Sequence, residues 1–181
     1  MVVVSHPGPV TWDEVQTWPD GAGRYESFAG VLTVTPSPTG RHQLAVAVLL
    51  DVLRQAAPPE LLVLPAPYDW WVSPTEWYEP DVVVFERSHF DPDGPLRTTP
   101  LLVVEVTSPS TRIHDLDAKR TAYAAHGCPA YWIVDPEVPS LLALRLEGTS
   151  YVEAARAAGD ACFEASQPFE VTVVPAALRE R

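Results

Sequence analysis

Pro80-Asp81-Val82-Val83-Val84-Phe85 and Leu101-Leu102-Val103-Val104-Glu105-Val106 are two short apolar runs, each interrupted or opened by one carboxylate. Their length, their β-branched content and the Pro-, Asp- and Gly-rich loops around them predict strands. Alternate residues of a strand share a face, so Glu105 lies with Leu101 and Val103, at the margin of a buried surface. A carboxylate there needs a cation. If the two strands are neighbours, Asp81 and Glu105 converge, and hard oxygen ligands of this kind suit Mg²⁺ or Mn²⁺.

Upstream, Leu44, Val48, Leu49 and Val52 recur at helical spacing between Arg41 and Ala57, and Pro58-Pro59 ends the pattern. Leu61 to Val72 follows as a further strand-like run. Downstream, a helical pattern occupies Thr111 to His126, stopped by Gly127 with Pro129 beyond it, and Tyr131 to Val134 is again strand-like. Helix, strand, strand, strand, helix, strand predicts an α/β (α+β) fold with a mixed central sheet flanked by helices. Thr11-Trp12-Asp13-Glu14 has capping-box spacing and opens a short helix that Pro19-Asp20-Gly21 ends. Arg24 to Thr35 reads as a hairpin around Gly30, and Leu141–Leu146, Tyr151–Ala155 and Phe169–Val174 read as extra antiparallel strands. No repeat, low-complexity tract or linker divides the chain, so residues 1–181 read as one domain with its core at 41–136.

Composition narrows the function. The 181 residues are 46% hydrophobic and 20% charged, as in a soluble globular domain, and 20 prolines oppose a long helical bundle. No apolar run is long enough for a membrane span, and Met1 to Val10 lacks the charged start and apolar stretch of a secretory signal, so a cytoplasmic protein without membrane contact is expected. Cys128 and Cys162 form no metal-ligand spacing and are expected to be buried free thiols. Acidic residues outnumber basic ones by 24 to 12, a net charge of −12 that opposes a broad phosphate-neutralising surface. Any phosphate chemistry must then rest on bound metal ions, a local positive spot or a partner.

Of the twelve basic residues eleven are arginine, and Lys119 is the only lysine. Its compact ammonium approaches a water or a phosphate oxygen in a way the guanidinium fork does not. Asp115 stands four residues before it, so an ordinary helical ion pair also explains it. On these residues alone a structural salt-bridge network fits Asp81, Glu105 and Lys119 as well as a catalytic site does. Ser108, Ser110 and Thr111 precede the second long helix, where they cap it or donate to a phosphate; Arg112 and Arg120 are candidate backbone contacts to nucleic acid. Tyr68, Trp70, Trp71, Trp77 and Tyr78 either stack on bases, cover a dimer surface or fill the core, the last being the commoner fate of aromatics.

Glu-Pro-Asp-Val-Val-Val at 79–84, Leu-Val-Val-Glu-Val-Thr-Ser-Pro-Ser-Thr-Arg at 102–112, Asp-Leu-Asp-Ala-Lys at 115–119, and Tyr123 through Gly127 to Tyr-Trp-Ile-Val-Asp-Pro at 131–136 together resemble the Uma family of restriction endonucleases. That family belongs to the PD-(D/E)XK nuclease superfamily. Tyr25-Glu26 and Gly40-Arg41-His42-Gln43 are similar too, so the resemblance covers most of residues 11 to 136. It implies a restriction-endonuclease-like core, with Pro80-Asp81 as the PD element and Glu105 as the second acid. The usual lysine position holds Thr107, and Lys119 on the following helix matches the position to which this family moves it.

The implied activity is Mg²⁺- or Mn²⁺-dependent hydrolysis of DNA phosphodiesters. Asp81, Glu105 and the Val106 carbonyl hold the metal, Lys119 acts on the attacking water, and Glu26 and His42 are accessory. DNA is the implied partner and a homodimer is expected. Two other classes stay open: an inactive binding or assembly protein on the same fold, favoured by the acidic balance, and a metal-dependent hydrolase of RNA or small phosphodiesters.

Overall fold

The structure, a computed structural model, describes residues 2–3, 9–18, 23–35, 37–107 and 114–180. The chain runs β1 (Val2–Val3), α1 (Trp12–Val15), β2 (Arg24–Phe28), β3 (Val31–Thr35), α2 (Gly40–Ala56), β4 (Leu61–Pro65), β5 (Trp70–Ser73), β6 (Glu76–Tyr78), β7 (Val82–Glu86), β8 (Leu102–Val106), α3 (His114–Ala125), β9 (Ala130–Asp135), β10 (Ser140–Glu147), β11 (Ser150–Ala158), β12 (Phe163–Ala165) and β13 (Val171–Val173). The expected helices and the hairpin are present. Thr11 caps α1 by accepting the Glu14 N–H at 3.2 Å, and Thr39 caps α2 by accepting the His42 N–H at 3.3 Å.

The central sheet has the order β11-β10-β9-β8-β7-β4. Within this sheet β8 and β9 pair in parallel, the geometry that needs a crossover, and α3 supplies it. Strands β7 and β8 are antiparallel neighbours, with Val82 opposite Val104 and Val83 opposite Val103; one further step of this register sets Asp81 opposite Glu105. One sheet face, carrying Val82, Val84, Leu102, Val104 and Val106, packs on Ala45, Val46, Leu49 and Leu53 of α2. The other, carrying Val83, Phe85, Val103 and Tyr131, packs on Tyr123 and Ala124 of α3. Glu105 shares the alternation of this second face and meets Tyr123 and Lys119 of α3, whereas Asp81, just before β7, is met by His42 of α2, Arg24 of β2 and the Val106 main chain.

A second sheet, of order β1-β3-β2-β6-β5, was not anticipated. The run Leu61 to Val72, expected to be one strand, divides between the two sheets: β4 pairs with β7 and β5 pairs with β6. Pro65 and Pro67 are the physical reason, since neither has an N–H to donate to a ladder. Strands β6 and β12 also escaped the sequence reading; each is only three residues long. Cys128 is buried as expected, but Cys162 is exposed, because it lies in the connection between β11 and β12 and not on an inward strand position. Among the described residues no helix is long and apolar enough to cross a membrane.

The two sheets leave one carboxylate in poor surroundings. Trp12 Nε1 donates to Asp69 Oδ2 at 2.7 Å, yet burial pushes the Asp69 carboxyl up from 3.8 to about 6; the Trp12 bond opposes the rise and the charge of Glu26 adds to it. The folded chain therefore keeps a proton that the unfolded chain releases between about pH 4 and 6, and Asp69 costs stability increasingly as pH rises through that window. Asp69→Asn is expected to raise stability by about 1 to 3 kcal/mol at neutral pH and to have little effect near pH 4. Urea denaturation at the two pH values checks this; an equal effect at both overturns it.

Candidate active site

The register that opposes Asp81 and Glu105 would, without cations, place two buried negative charges side by side. Their exposures are 2% and 7%, so each charge must be met inside the protein. Asp81 accepts the Val106 N–H at Oδ2 (2.8 Å), lies 3.0 Å from His42 Nε2 through the same oxygen, and pairs through Oδ1 with Arg24 Nη2. Glu105 accepts from the Tyr123 hydroxyl at 2.7 Å and sits 2.9 Å from Lys119 Nζ, both through Oε1. Lys119 Nζ also reaches Glu26 Oε1 at 3.2 Å, and that same oxygen accepts the Glu79 N–H at 3.1 Å. Arg24 completes the cluster by holding Glu79, with Nε 3.3 Å from Glu79 Oε1 and Nη1 donating to the Glu79 carbonyl at 3.0 Å.

Five elements contribute. Strand β2 brings Arg24 and Glu26, which share a face because they are two residues apart; α2 brings His42 from its first turn; β8 brings Glu105; α3 brings Lys119 and Tyr123, one helical turn apart on one side. Glu79 and Asp81 come from the connection that leads into β7. The site is thus a joint between the two sheets and the crossover helix.

The surroundings drive the two opposed carboxylates apart in acidity. Burial works to raise Asp81, but the His42 hydrogen bond and the charges of Arg24, His42 and Lys119 outweigh it, and the carboxyl is held below its ordinary range. Burial raises Glu105; Lys119 opposes the rise, while Asp81 and Glu26 add to it, and the net direction is up. Burial also pushes Glu79 up to about 8 despite the Arg24 charge, with Asp69 and Glu26 contributing. Two carboxylates of unlike acidity beside a buried ammonium form an arrangement suited to holding a cation and moving or orienting a water.

Asp81, Glu105, Lys119, Glu26 and His42 are therefore all brought together, and the main chain of Val106 lies against Asp81. Ser108, Ser110, Thr111 and Arg112 lie outside the described residues, as does the side chain of Asp115. Arg120 is exposed and donates to the Tyr151 carbonyl at 2.6 Å, which ties α3 to β11. Trp70, Trp77 and Tyr78 are fully buried, as the core reading of the aromatic group requires. Tyr68 and Trp71 are half-buried; Tyr68 stacks on Phe85 and Arg97 lies over the Trp71 ring at 4.4 Å. Sequence reasoning missed Arg24, Glu79 and the hydroxyl of Tyr123. Glu79 directly precedes Pro80-Asp81 and Arg24 stands two residues before Glu26, so motif adjacency and strand period were the available signals. Thr107, in the place where the superfamily pattern has lysine, is buried, and its Oγ1 has no hydrogen-bond partner among the described residues.

The side chains of the cluster able to ligate a cation are the carboxylates of Asp81, Glu105, Glu26 and Glu79 and the imidazole of His42, beside the Tyr123 hydroxyl. That set fits a hard divalent cation in chemistry. Among the described residues no three His, Cys, Asp or Glu side chains are already gathered to hold a metal ion. Arg24 and Lys119 instead supply the positive charge beside the carboxylates.

A mixed sheet flanked by helices, with opposed carboxylates where the second sheet meets it, defines an α+β protein with a buried cluster of carboxylates and cations. The chain belongs to the Uma2 family, described as "Putative restriction endonuclease", whose model matches residues 12–176. Its fold is similar to the crystal structure of "a putative nuclease belonging to DUF820" from Anabaena variabilis ATCC 29413, with a TM-score of 0.71 and 17% identity over 94% of this chain and 97% of that one. No curated protein matches.

Proposed function

We propose that this protein is a Mg²⁺-dependent endonuclease, or nickase, that hydrolyses phosphodiester bonds in DNA. The observation that carries the reading is the meeting of Asp81, Glu105 and Lys119, from three separate stretches, in one buried cluster with Lys119 Nζ 2.9 Å from Glu105. Burying unlike charges costs several kcal/mol of desolvation per ion, and packing alone favours apolar residues at such positions.

Asp81, Glu105 and the Val106 carbonyl would hold Mg²⁺ or Mn²⁺. When bound, a divalent cation there lowers the pKa of a water and offsets charge on the phosphate. The chain's own groups do the remaining work. The Val106 N–H and His42 orient Asp81, and the Tyr123 hydroxyl orients Glu105. The Lys119 ammonium orients the attacking water or stabilises the charge that develops on the phosphate oxygens. A homodimer, which presents one site to each strand of a duplex, belongs to this reading and is checked by sedimentation of the purified chain.

Purified protein is expected to nick or linearise plasmid DNA with Mg²⁺ or Mn²⁺ and to stop when the metal is chelated. Failure to cut DNA or RNA, together with calorimetric Mn²⁺ titrations showing no binding that Asp81→Ala or Glu105→Ala removes, would overturn the proposal. Competition between short nucleotides and duplex DNA separates it from a hydrolase of small phosphodiesters or RNA. A second reading, a binding or assembly protein on the nuclease fold, is favoured by one observation: Arg24 and Lys119 already pair with the carboxylates. It predicts full biological function without any bound cation.

A further inference from the structure

Arg24 has a divided engagement. Two of its nitrogens are anchored on Glu79, Nε on the carboxylate at 3.3 Å and Nη1 on the main-chain carbonyl at 3.0 Å, while Nη2 alone turns to Asp81 Oδ1. Its side chain is 17% exposed, against 6% for Lys119 and 7% for His42, so it is the cation of the described cluster most open to a solute.

We infer that Arg24 is the phosphate-binding residue of the site, with Glu79 as its anchor and Asp81 as the anion it holds until a substrate phosphate arrives. The inference rests on the reading of the cluster as a phosphodiesterase site. A cation taken up by Asp81 displaces the Nη2 contact by charge repulsion, yet leaves the Nε and Nη1 contacts to Glu79 in place. Nη2 is then a free, charged donor beside the cation, in the planar geometry that matches an anionic phosphate oxygen. The acidic balance of the chain, −12, gives a polyanion no net attraction, so a local cation at the site carries weight. Lys119 is less suited, being nearly buried and spent on Glu26 and Glu105.

The test uses two probes: Mn²⁺ alone by calorimetry, and a short fluorescent duplex in Ca²⁺ titrated at several salt concentrations. Arg24→Gln is expected to bind Mn²⁺ as tightly as wild type or more so, since a competitor for Asp81 is gone. It should bind the duplex about tenfold more weakly, with the slope of log affinity against log salt smaller by about 1, as loss of one phosphate contact requires. Arg24→Lys keeps the charge and the slope but loses the fork, and should weaken the duplex severalfold at unchanged Mn²⁺ affinity; this variant decides the matter if the glutamine variant does not fold. Wild-type duplex affinity in Arg24→Lys, an unchanged slope in Arg24→Gln, or weakened Mn²⁺ binding in either would overturn the inference, as would a wild-type protein that binds no duplex. A wild type that binds duplex with the Arg24 dependence but cuts it with neither Mg²⁺ nor Mn²⁺ sinks the hydrolytic reading and leaves this one standing.

Discussion

Asp81→Asn and Glu105→Gln are each expected to lower DNA cleavage by on the order of 10³-fold or more, because a lost cation ligand removes several kcal/mol of charge stabilisation from the reacting phosphate. The amides keep the shape of the acids and remove the charge, so Mn²⁺ affinity measured by calorimetry should fall in parallel. The two differ in stability. Asp81 is held ionised by His42, Arg24 and Lys119 against the cost of burial, so its charge stabilises the fold above its ordinary value of 3.8 and this contribution is lost as pH falls. Asp81→Asn should therefore unfold more easily than wild type at neutral pH, and activities must be compared below its melting range. Glu105, raised by burial, loses less when neutralised. Retained cleavage in either variant, with the protein folded, would remove these residues from the mechanism.

Lys119→Met is expected to cost about 3 kcal/mol of stability as well as the activity. As half of an exposed helical pair with Asp115, Lys119 would be worth well under about 1 kcal/mol, and a binding protein would barely notice its loss. The structure sets it at 5% exposure between Glu26 and Glu105, so truncation leaves two buried carboxylates without their shared cation. Methionine preserves the stem volume and isolates the charge. Urea denaturation measures the cost, and the double variant Lys119→Met/Glu105→Gln should recover part of it, since the charge that became unpaired is also gone. A change within about 0.5 kcal/mol of wild type would show that the ammonium contributes no net energy to the cluster.

How much of this was legible from residues alone differs by element. Strands β7 and β8 announced themselves through Val-rich runs between turn residues, and α2 through helical spacing closed by two prolines, because local preference and tertiary burial agree there. The run from Leu61 to Val72 misled because an apolar stretch signals burial but not which sheet buries it, and the prolines inside it carried the information that was passed over. Lys119 stood out as the only lysine, and Asp115 four residues before it suggested a surface pair; it is instead buried, against Glu26 of β2 and Glu105 of β8.

Sequence by itself determined that one carboxylate would open an apolar strand and another would sit inside one, and, through the period of two, which face Glu105 would take once the strands were paired. The tertiary structure alone decided what meets them: Arg24 and Glu26 arrive on a hairpin of another sheet, His42 from a helix on the opposite face, and Tyr123 from the crossover. The division follows from the range of the forces. Side-chain alternation and capping act over a few residues and leave a local trace, whereas the choice of a charge's partner is made by burial, when distant segments pack and any unmatched ion would be left without water.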